Sequence, residues 1–165
     1  MSTRTVDSPI GPLRLEVSDA RLNAVVFVDA DAPVVGDSSS SPADEQVLGL
    51  AATQLAEYFA GERRDFDLPL TVLAGTTFQH QVWGHLRRIA YGETSSYGRL
   101  AGALGLTGHG SRAVGGANGR NPLPVVVPCH RVIGADGSIT GYAGGVARKQ
   151  WLLAHERGEA PAPLG

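Results

Sequence analysis

The sequence predicts an α/β protein of the α+β type, with a small N-terminal lobe and a mostly helical C-terminal lobe. Three short β-rich segments separated by turn residues open the chain, which favours a three-stranded antiparallel sheet. In several later segments, apolar residues recur at helical spacing. We place the lobe boundary between residues 1–75 and residues 76–165.

The first lobe is predicted to contain three strands and one helix. Ser41 can cap this helix, with Pro42 at its first position, and Gly61 ends it. No catalytic pattern occurs in this lobe, so we interpret it as a scaffold. The strands are expected over residues 3–7, 13–17 and 23–28.

The second lobe is predicted to contain four helices and one buried strand. Two short helices, the first capped by Ser96, are separated by a Gly-containing break, which makes them a helix-turn-helix candidate. Two packed helices without a DNA role are the alternative at this stage. The apolar run at residues 125–127 predicts a strand that leads into Cys129, and residues 136–137 predict a hairpin turn.

Length and composition favour a soluble globular protein. The chain has 165 residues, 42% of them hydrophobic, enough to bury a sizeable core. No run approaches the ~20 apolar residues of a membrane span, and the N-terminus lacks the apolar core of a signal peptide. We therefore expect a cytoplasmic protein with no membrane partner.

The net charge of −2, taken alone, argues against a nucleic-acid partner. However, the charge is unevenly divided along the chain. Residues 1–75 carry five Arg and no Lys against twelve acids, a balance of −7, whereas residues 76–157 carry nine basic residues against three acids, a balance of +6. Two interpretations stay open: two solvated faces, or a C-terminal lobe that contacts phosphates.

Cys129 is the only cysteine, so it cannot form an intramolecular disulfide. Five scattered histidines and no C-x-x-C pair predict neither a metal site nor another cofactor. A buried cysteine after an apolar strand is usually inert. Here it stands between Pro128 and His130, with Arg131 next. A base and a positive charge therefore lie close by, and both favour the nucleophilic thiolate.

A series of motifs follows in order between Thr77 and Glu156: F-Q-x-x-V-W, I-x-Y-G-E-T-x-S-Y-G-x-L-A, R-A-V-G-G-A-N, N-P-x-P-V-V-V-P-C-H-R-V-I, G-Y-x-G-G and L-L-x-x-E. In these motifs the chain resembles the O6-alkylguanine-DNA alkyltransferases, also called methylated-DNA–protein-cysteine methyltransferases. The motifs cover about half of the chain. Its first part matches only loosely, as the variable N-terminal lobe of that family would.

The resemblance implies a stoichiometric repair reaction, in which Cys129 takes an alkyl group such as methyl from O6-alkylguanine. The product is a thioether, which offers water no good leaving group, so the protein would be consumed. His130 would deprotonate the thiol through a water, and Glu156 would orient the histidine. Tyr97 would help to rotate the nucleotide and protonate guanine, while Asn121 would tie the recognition helix to the active-site strand.

The resemblance also implies that the second short helix docks in the minor groove of duplex DNA, with the damaged base flipped out. Arg112 would fill the gap in the stack; without the motif, a plain phosphate contact would be the better interpretation. Small residues would let the helix backbone approach a groove only ~6 Å wide. The residues expected to contact DNA are Ser111, Arg112, Ala113, Gly115 and Gly116.

The guanine pocket is expected to include Pro128 and Val132, with Tyr142 as a wall and Ala143 after it. Ala143 stands where many family members carry Ser or Gly, so a side-chain hydroxyl contact to the guanine oxygen is absent. The turn between residues 104 and 112 is one residue longer than the family pattern, which shifts Arg112 or enlarges the loop. A monomer without an obligate protein partner is expected.

Two other functions remain compatible with the residues. A cysteine hydrolase could use Cys129, His130 and Glu156 in similar roles, but it leaves Arg112 unexplained and would turn over many times. A non-catalytic DNA-binding module, such as a regulator or a lesion sensor, would also explain the paired helices. The sensors that resemble this family lack the active cysteine, so Cys129 counts against that function.

Overall fold

The computed structural model describes residues 1–32 and 40–164. The chain divides into two compact units. The first comprises Met1–Leu73 together with the end of the chain from Ala162 onward, and the second comprises Ala74–Pro161. Strands and helices are mixed as predicted, which confirms the α+β class. Within the described part of the chain, no helix is long and apolar enough to cross a membrane.

In its described residues, the first unit is a three-stranded antiparallel sheet packed against one helix, α1 (Pro42–Phe59). Buried and partly exposed residues alternate along the central strand, so one face of the sheet is turned into the core. The strands, in sheet order, are β1 (Ser2–Val6), β2 (Leu13–Ser18) and β3 (Arg21–Phe27).

The predicted ends of α1 are confirmed. The Ser41 hydroxyl accepts a hydrogen bond from the Asp44 amide (3.1 Å), and Pro42 occupies the first turn, where its missing N–H loses no helical bond. Beyond the helix, Gly61 has a φ of 79°, a left-handed conformation that glycine adopts without strain. Both ends are therefore set by local sequence.

The second unit, all of whose residues are described, contains four helices and a short parallel sheet. A 3-10 turn, Cys129–Arg131, lies directly before the second strand of this sheet. The strands are β4 (Ser95–Ser96) and β5 (Val132–Ile133). The helices are α2 (Thr77–Leu86), α3 (Tyr97–Ala103), α4 (Gly110–Gly119) and α5 (Val146–Glu156).

Helices α3 and α4 lie in contact, as the helix pair that the sequence predicts. Ser96 caps α3 by accepting a hydrogen bond from the Arg99 amide (3.1 Å). Gly110 begins α4 at a point of close approach. A Cβ on this glycine would lie 2.6 Å from Cβ of Leu106 and 3.3 Å from Cβ of Ala101. Close packing of the turn against the helices therefore requires glycine at this position.

The prediction of a strand at residues 125–127 was wrong. These residues are buried, but Val125 has a φ of 72°, and the Val127 amide donates to the Leu123 carbonyl (2.8 Å). These features form a turn that bonds back on itself instead of pairing with a neighbouring strand. An apolar run reports burial, and burial alone does not distinguish a strand from a buried turn.

The predicted hairpin after β5 is correct in its turn and wrong in its strands. The Gly134 amide donates to the Ser138 carbonyl (2.9 Å), and Gly137 takes a left-handed φ of 83°. In this fully described unit no strand follows the turn. Instead, β5 pairs in parallel with Ser95–Ser96, a partner distant in sequence.

Candidate active site

Cys129 begins the 3-10 turn and is 5% exposed. Its backbone is fixed on both sides by asparagine side chains. Nδ2 of Asn118, on α4, donates to the Cys129 carbonyl (3.2 Å), and Nδ2 of Asn121 donates to the Val127 carbonyl (2.8 Å). Oδ1 of Asn121 accepts the Leu123 amide (3.0 Å). Asn118 near the end of α4 and Asn121 just beyond it therefore hold the segment that carries the thiol.

His130 and Arg131 both bind one carboxylate, that of Glu156 at the end of α5. Nε2 of His130 lies 2.8 Å from Oε2. Nε of Arg131 donates to Oε1 (2.8 Å) and its Nη2 to Oε2 (3.0 Å), while Nη1 donates to the Ile89 carbonyl (2.6 Å). Burial alone would raise the pKa of Glu156, but the hydrogen bonds from His130 and Arg131 hold it well below its ordinary value.

The tautomer of His130 follows from this contact. An ionised carboxylate only accepts hydrogen bonds, so Nε2 carries the hydrogen and Nδ1 has a lone pair. Nδ1 is buried, with no hydrogen-bond partner among the described residues. Burial lowers the pKa of His130 because it penalises the imidazolium, against the opposing effect of Glu156. His130 is therefore a neutral base whose available nitrogen is Nδ1.

The sequence did not identify Lys149, which is fully buried. Its Nζ donates to the carbonyls of Thr140 (3.0 Å) and Gly141 (3.3 Å) and to the Tyr97 hydroxyl (3.4 Å). The signal was present: Lys149 stands three, four and seven residues before Leu152, Leu153 and Glu156, all buried on the same face of α5. A lysine on such a face was a candidate for an internal charge.

Arg131, which we expected to favour the thiolate of Cys129, is bound to Glu156, and the buried cation that acts on the thiol is Lys149. Burial raises the pKa of the Cys129 thiol to about 11, against the lowering effects of a hydrogen bond from Asn121 and the positive charge of Lys149. In the free protein the thiol therefore stays protonated near neutral pH. A reaction at this sulfur needs a base to remove the proton.

The predicted pocket residues differ in their environments. The Tyr142 hydroxyl is buried, and burial together with nearby Cys129 raises its pKa well above the ordinary value. Tyr97 is half-buried at the start of α3, and its hydroxyl donates to the Thr140 carbonyl (3.2 Å). The remaining predicted residues are buried Pro128 and Val132 and exposed Ala143.

Helix α4 presents most of its predicted DNA-binding residues to solvent. Its opposite face is buried, and Nε1 of Trp83 donates to the Ala117 carbonyl (2.8 Å). Gly115 is half-buried, and a Cβ there would contact the Tyr97 ring at 3.7 Å. The exposed members of the predicted set are Ser111, Arg112, Ala113 and Gly116.

The long turn before α4 forms a loop with its own hydrogen bonds. The Leu106 amide donates to the Ala101 carbonyl (2.9 Å), and Gly105 and Gly108 adopt left-handed φ values of 73° and 65°. Arg112 lies in the first turn of α4 and is exposed. The guanidinium therefore stands at the solvent-facing start of the helix.

Part of the positive charge of residues 76–157 is internal. Arg131 and Lys149 are buried in the site, and Arg157 is paired with Glu159. The balance of +6 counted from the sequence therefore overstates the charge that a phosphate backbone could meet. The exposed arginines not paired in these contacts are Arg87, Arg88, Arg99, Arg112 and Arg120.

Comparison with known proteins identifies the family. Residues 77–158 match the family model "6-O-methylguanine DNA methyltransferase, DNA binding domain", and residues 1–72 match "6-O-methylguanine DNA methyltransferase, ribonuclease-like domain". The chain therefore belongs to the 6-O-methylguanine DNA methyltransferase family.

Similar proteins span nearly the whole chain. A "Methylated-DNA--protein-cysteine methyltransferase" of Mycolicibacterium paratuberculosis is 50% identical over 162 residues, which are 98% of this chain and 95% of that protein. The Mycobacterium tuberculosis OGT crystal structure in complex with DNA has a TM-score of 0.84 at 44% identity and covers 99% of this chain and 97% of its own. A Methanococcus jannaschii O6-methylguanine DNA methyltransferase has a TM-score of 0.68 at 27% identity. The match covers 94% of this chain and 92% of that one.

Proposed function

We propose that this protein repairs O6-alkylguanine in duplex DNA by transferring the alkyl group to Cys129, and that each molecule acts once. The observation that carries the proposal is the buried site in which Cys129 adjoins the neutral base His130, itself bound to Glu156. Membership of the family supports the DNA repair class. The neighbouring structure solved with DNA supports binding to a duplex.

The transfer is a substitution at the alkyl carbon. Sulfur of Cys129 attacks that carbon, the C–S bond forms and the bond from carbon to O6 breaks. Its electron pair passes to guanine, which takes up a proton. The thiol proton leaves through a water to Nδ1 of His130, and Glu156 stabilises the imidazolium that results. No step breaks the thioether again, so the protein ends as its own product.

The proton that guanine takes up comes from Tyr97, and Lys149 assists this transfer. Burial raises the pKa of Tyr97, so that its hydroxyl keeps a proton to donate. The phenolate left behind would lie 3.4 Å from Nζ of Lys149, whose charge stabilises it. The same charge lowers the pKa of Cys129. One buried ammonium therefore supports both the attacking and the proton-donating group.

DNA docking is assigned to the exposed face of α4. Arg112 fills the gap left by the flipped nucleotide, while Ala113 and Gly116 let the helix backbone approach the minor groove. Only a few exposed arginines can meet phosphates, so affinity should fall with salt at a modest slope. We further propose a cytoplasmic monomer in which residues 1–75 are a scaffold and residues 76–165 bind DNA and accept the alkyl group.

A titration tests this function. Increasing amounts of protein are mixed with a fixed amount of duplex that carries one O6-methylguanine, and the remaining lesion is measured. The account predicts that one equivalent of protein removes one equivalent of lesion and then stops. Continued removal would identify a hydrolase or another turnover enzyme, and binding without loss of the lesion would identify a sensor.

A further inference from the structure

Asn118 is a buried side chain, 4% exposed, to which neither the sequence motifs nor the proposed reaction assign a role. It lies near the end of α4, the helix whose first turn carries Arg112. Among the described residues its side chain makes one hydrogen bond, from Nδ2 to the Cys129 carbonyl (3.2 Å). A carbonyl oxygen only accepts hydrogen bonds, so the amide atom at this contact is Nδ2. Oδ1 is therefore the amide atom that points away from the Cys129 carbonyl.

Oδ1 of Asn118 is buried and meets no donor among the described residues. A second acceptor in the same state is Nδ1 of His130. Both acceptors belong to residues that adjoin Cys129: His130 follows it in the chain, and Nδ2 of Asn118 is bonded to its carbonyl. Buried polar atoms are satisfied by protein or by water, and a buried water typically makes about three hydrogen bonds.

Two acceptors and one thiol donor match the hydrogen-bonding capacity of one water molecule. A water donates two hydrogens and can accept the third from sulfur. We infer that Asn118 is a positioning residue, whose Oδ1 holds one hydrogen of a buried water while the other hydrogen points to Nδ1 of His130 and the oxygen accepts S–H of Cys129. This inference rests on the proposed function, since it concerns the step that forms the thiolate.

The proton transfers in this step balance. The water takes the thiol proton as it gives its own hydrogen to Nδ1, so the water is unchanged and a thiolate and an imidazolium remain. Asn118 keeps the second hydrogen throughout. Without that anchor the water can rotate away from His130, and proton removal becomes slower although Cys129, His130 and Glu156 are all present.

The test compares the wild-type protein with Asn118→Leu, which keeps a similar shape and removes both polar atoms. Single-turnover methyl transfer is measured at saturating methylated duplex across pH. We expect a loss of about tenfold or more near neutral pH. The loss should shrink at alkaline pH, where hydroxide can remove the thiol proton. The other titratable and charged groups around Cys129 are identical in both proteins: Tyr97, His130, Arg131, Tyr142, Lys149 and Glu156.

The matched control is Gln54→Leu, which removes a buried amide from the first unit. Gln54 is 3% exposed, and its Nε2 donates to the Asp67 carbonyl (2.9 Å). This variant should lose stability without changing the pH profile. If Asn118→Leu lowers the rate by one factor at every pH, or leaves it unchanged, Asn118 has no part in proton transfer.

A second measurement does not depend on the variant. A crystal structure of the wild-type protein at a resolution that shows ordered water should contain a water bonded to both Oδ1 of Asn118 and Nδ1 of His130. A dry site, or a water on His130 alone, contradicts the inference. If the wild-type protein does not become methylated at Cys129 after reaction with the lesion, the proposed function itself is contradicted. The two failures are therefore distinguishable.

Discussion

Nε2 of His130 lies 2.8 Å from Oε2 of Glu156, and both side chains are buried, 0% and 1% exposed. This contact determines which nitrogen of the histidine is available to Cys129 and keeps the carboxylate ionised. The same carboxylate binds Arg131 through both of its oxygens. Glu156 therefore joins the 3-10 turn that carries Cys129 to α5, and the proposed chemistry depends on the same contacts as this packing.

The first prediction concerns stability against pH. Because the folded-state pKa of Glu156 is depressed, its contribution is fully present above the unfolded value of about 4.3 and is lost as pH falls below it. Glu156→Gln should remove this dependence and cost roughly 3–5 kcal/mol at neutral pH, since Arg131 loses its buried partner. Denaturant unfolding of the wild-type protein and the variant at neutral and acidic pH measures their free energies of unfolding. A constant difference between the two proteins at every pH would contradict the assignment.

Lys149→Met is predicted to slow alkyl transfer by about tenfold or more, because Cys129 and Tyr97 lose their shared cation. It should also lower the free energy of unfolding by roughly 1–3 kcal/mol, because the carbonyls of Thr140 and Gly141 lose their donor. Tyr97→Phe should also slow alkyl transfer, because it removes the hydroxyl that donates a proton to guanine. In the double variant the losses should be less than additive, because part of the effect of Lys149 acts through the proton that Tyr97 donates. Additive losses would separate their roles.

Arg112→Ala is predicted to slow alkyl transfer from duplex DNA strongly and to leave the reaction with free O6-benzylguanine almost unchanged. The free base needs no flipping, so it needs nothing to fill a gap in the stack. Arg112→Lys keeps the charge without the planar guanidinium. Full rescue by lysine would reduce Arg112 to a phosphate contact, and equal losses with both substrates would place it in the chemistry of the pocket.

Two exposed helix glycines, one in α4 and one in α2, provide a test variant and a matched control for the proposed DNA docking. A Cβ would meet nothing within 4 Å at either Gly116 in α4 or Gly84 in α2. Gly116→Ala and Gly84→Ala should therefore each stabilise the fold by up to about 1 kcal/mol. Only Gly116→Ala should weaken binding to duplex DNA, because in the proposed docking only α4 enters the groove. Equal affinities, measured by fluorescence anisotropy at fixed salt, would contradict docking through this face.

Local features were predictable from sequence. The caps Ser41 and Ser96 act on backbone amides three residues away, so the information lies within one helical turn. The association of Cys129, His130 and Glu156 came from motifs rather than from physical reasoning. The structure brings His130 and Glu156 into hydrogen-bond contact, with Cys129 directly preceding His130.

Tertiary features were not predictable in the same way. Whether residues 125–127 pair as a strand depends on a partner strand, and periodicity does not report one. Arg131 looked like a cation for Cys129, but Glu156, distant in sequence, binds it instead. The burial of Lys149 and the unfilled acceptor of Asn118 depend on packing between α4, α5 and the catalytic turn. These are the positions where the site differs most from its sequence description.

The most direct test of the central claim is mass spectrometry of the intact protein after reaction with duplex DNA that contains one O6-methylguanine. The account predicts one added methyl group, localised to Cys129 by peptide mapping, and no addition in Cys129→Ser. An undamaged duplex of the same sequence should leave the mass unchanged. Methylation at another residue, methylation without the lesion, or loss of the lesion with no change in protein mass would contradict the account.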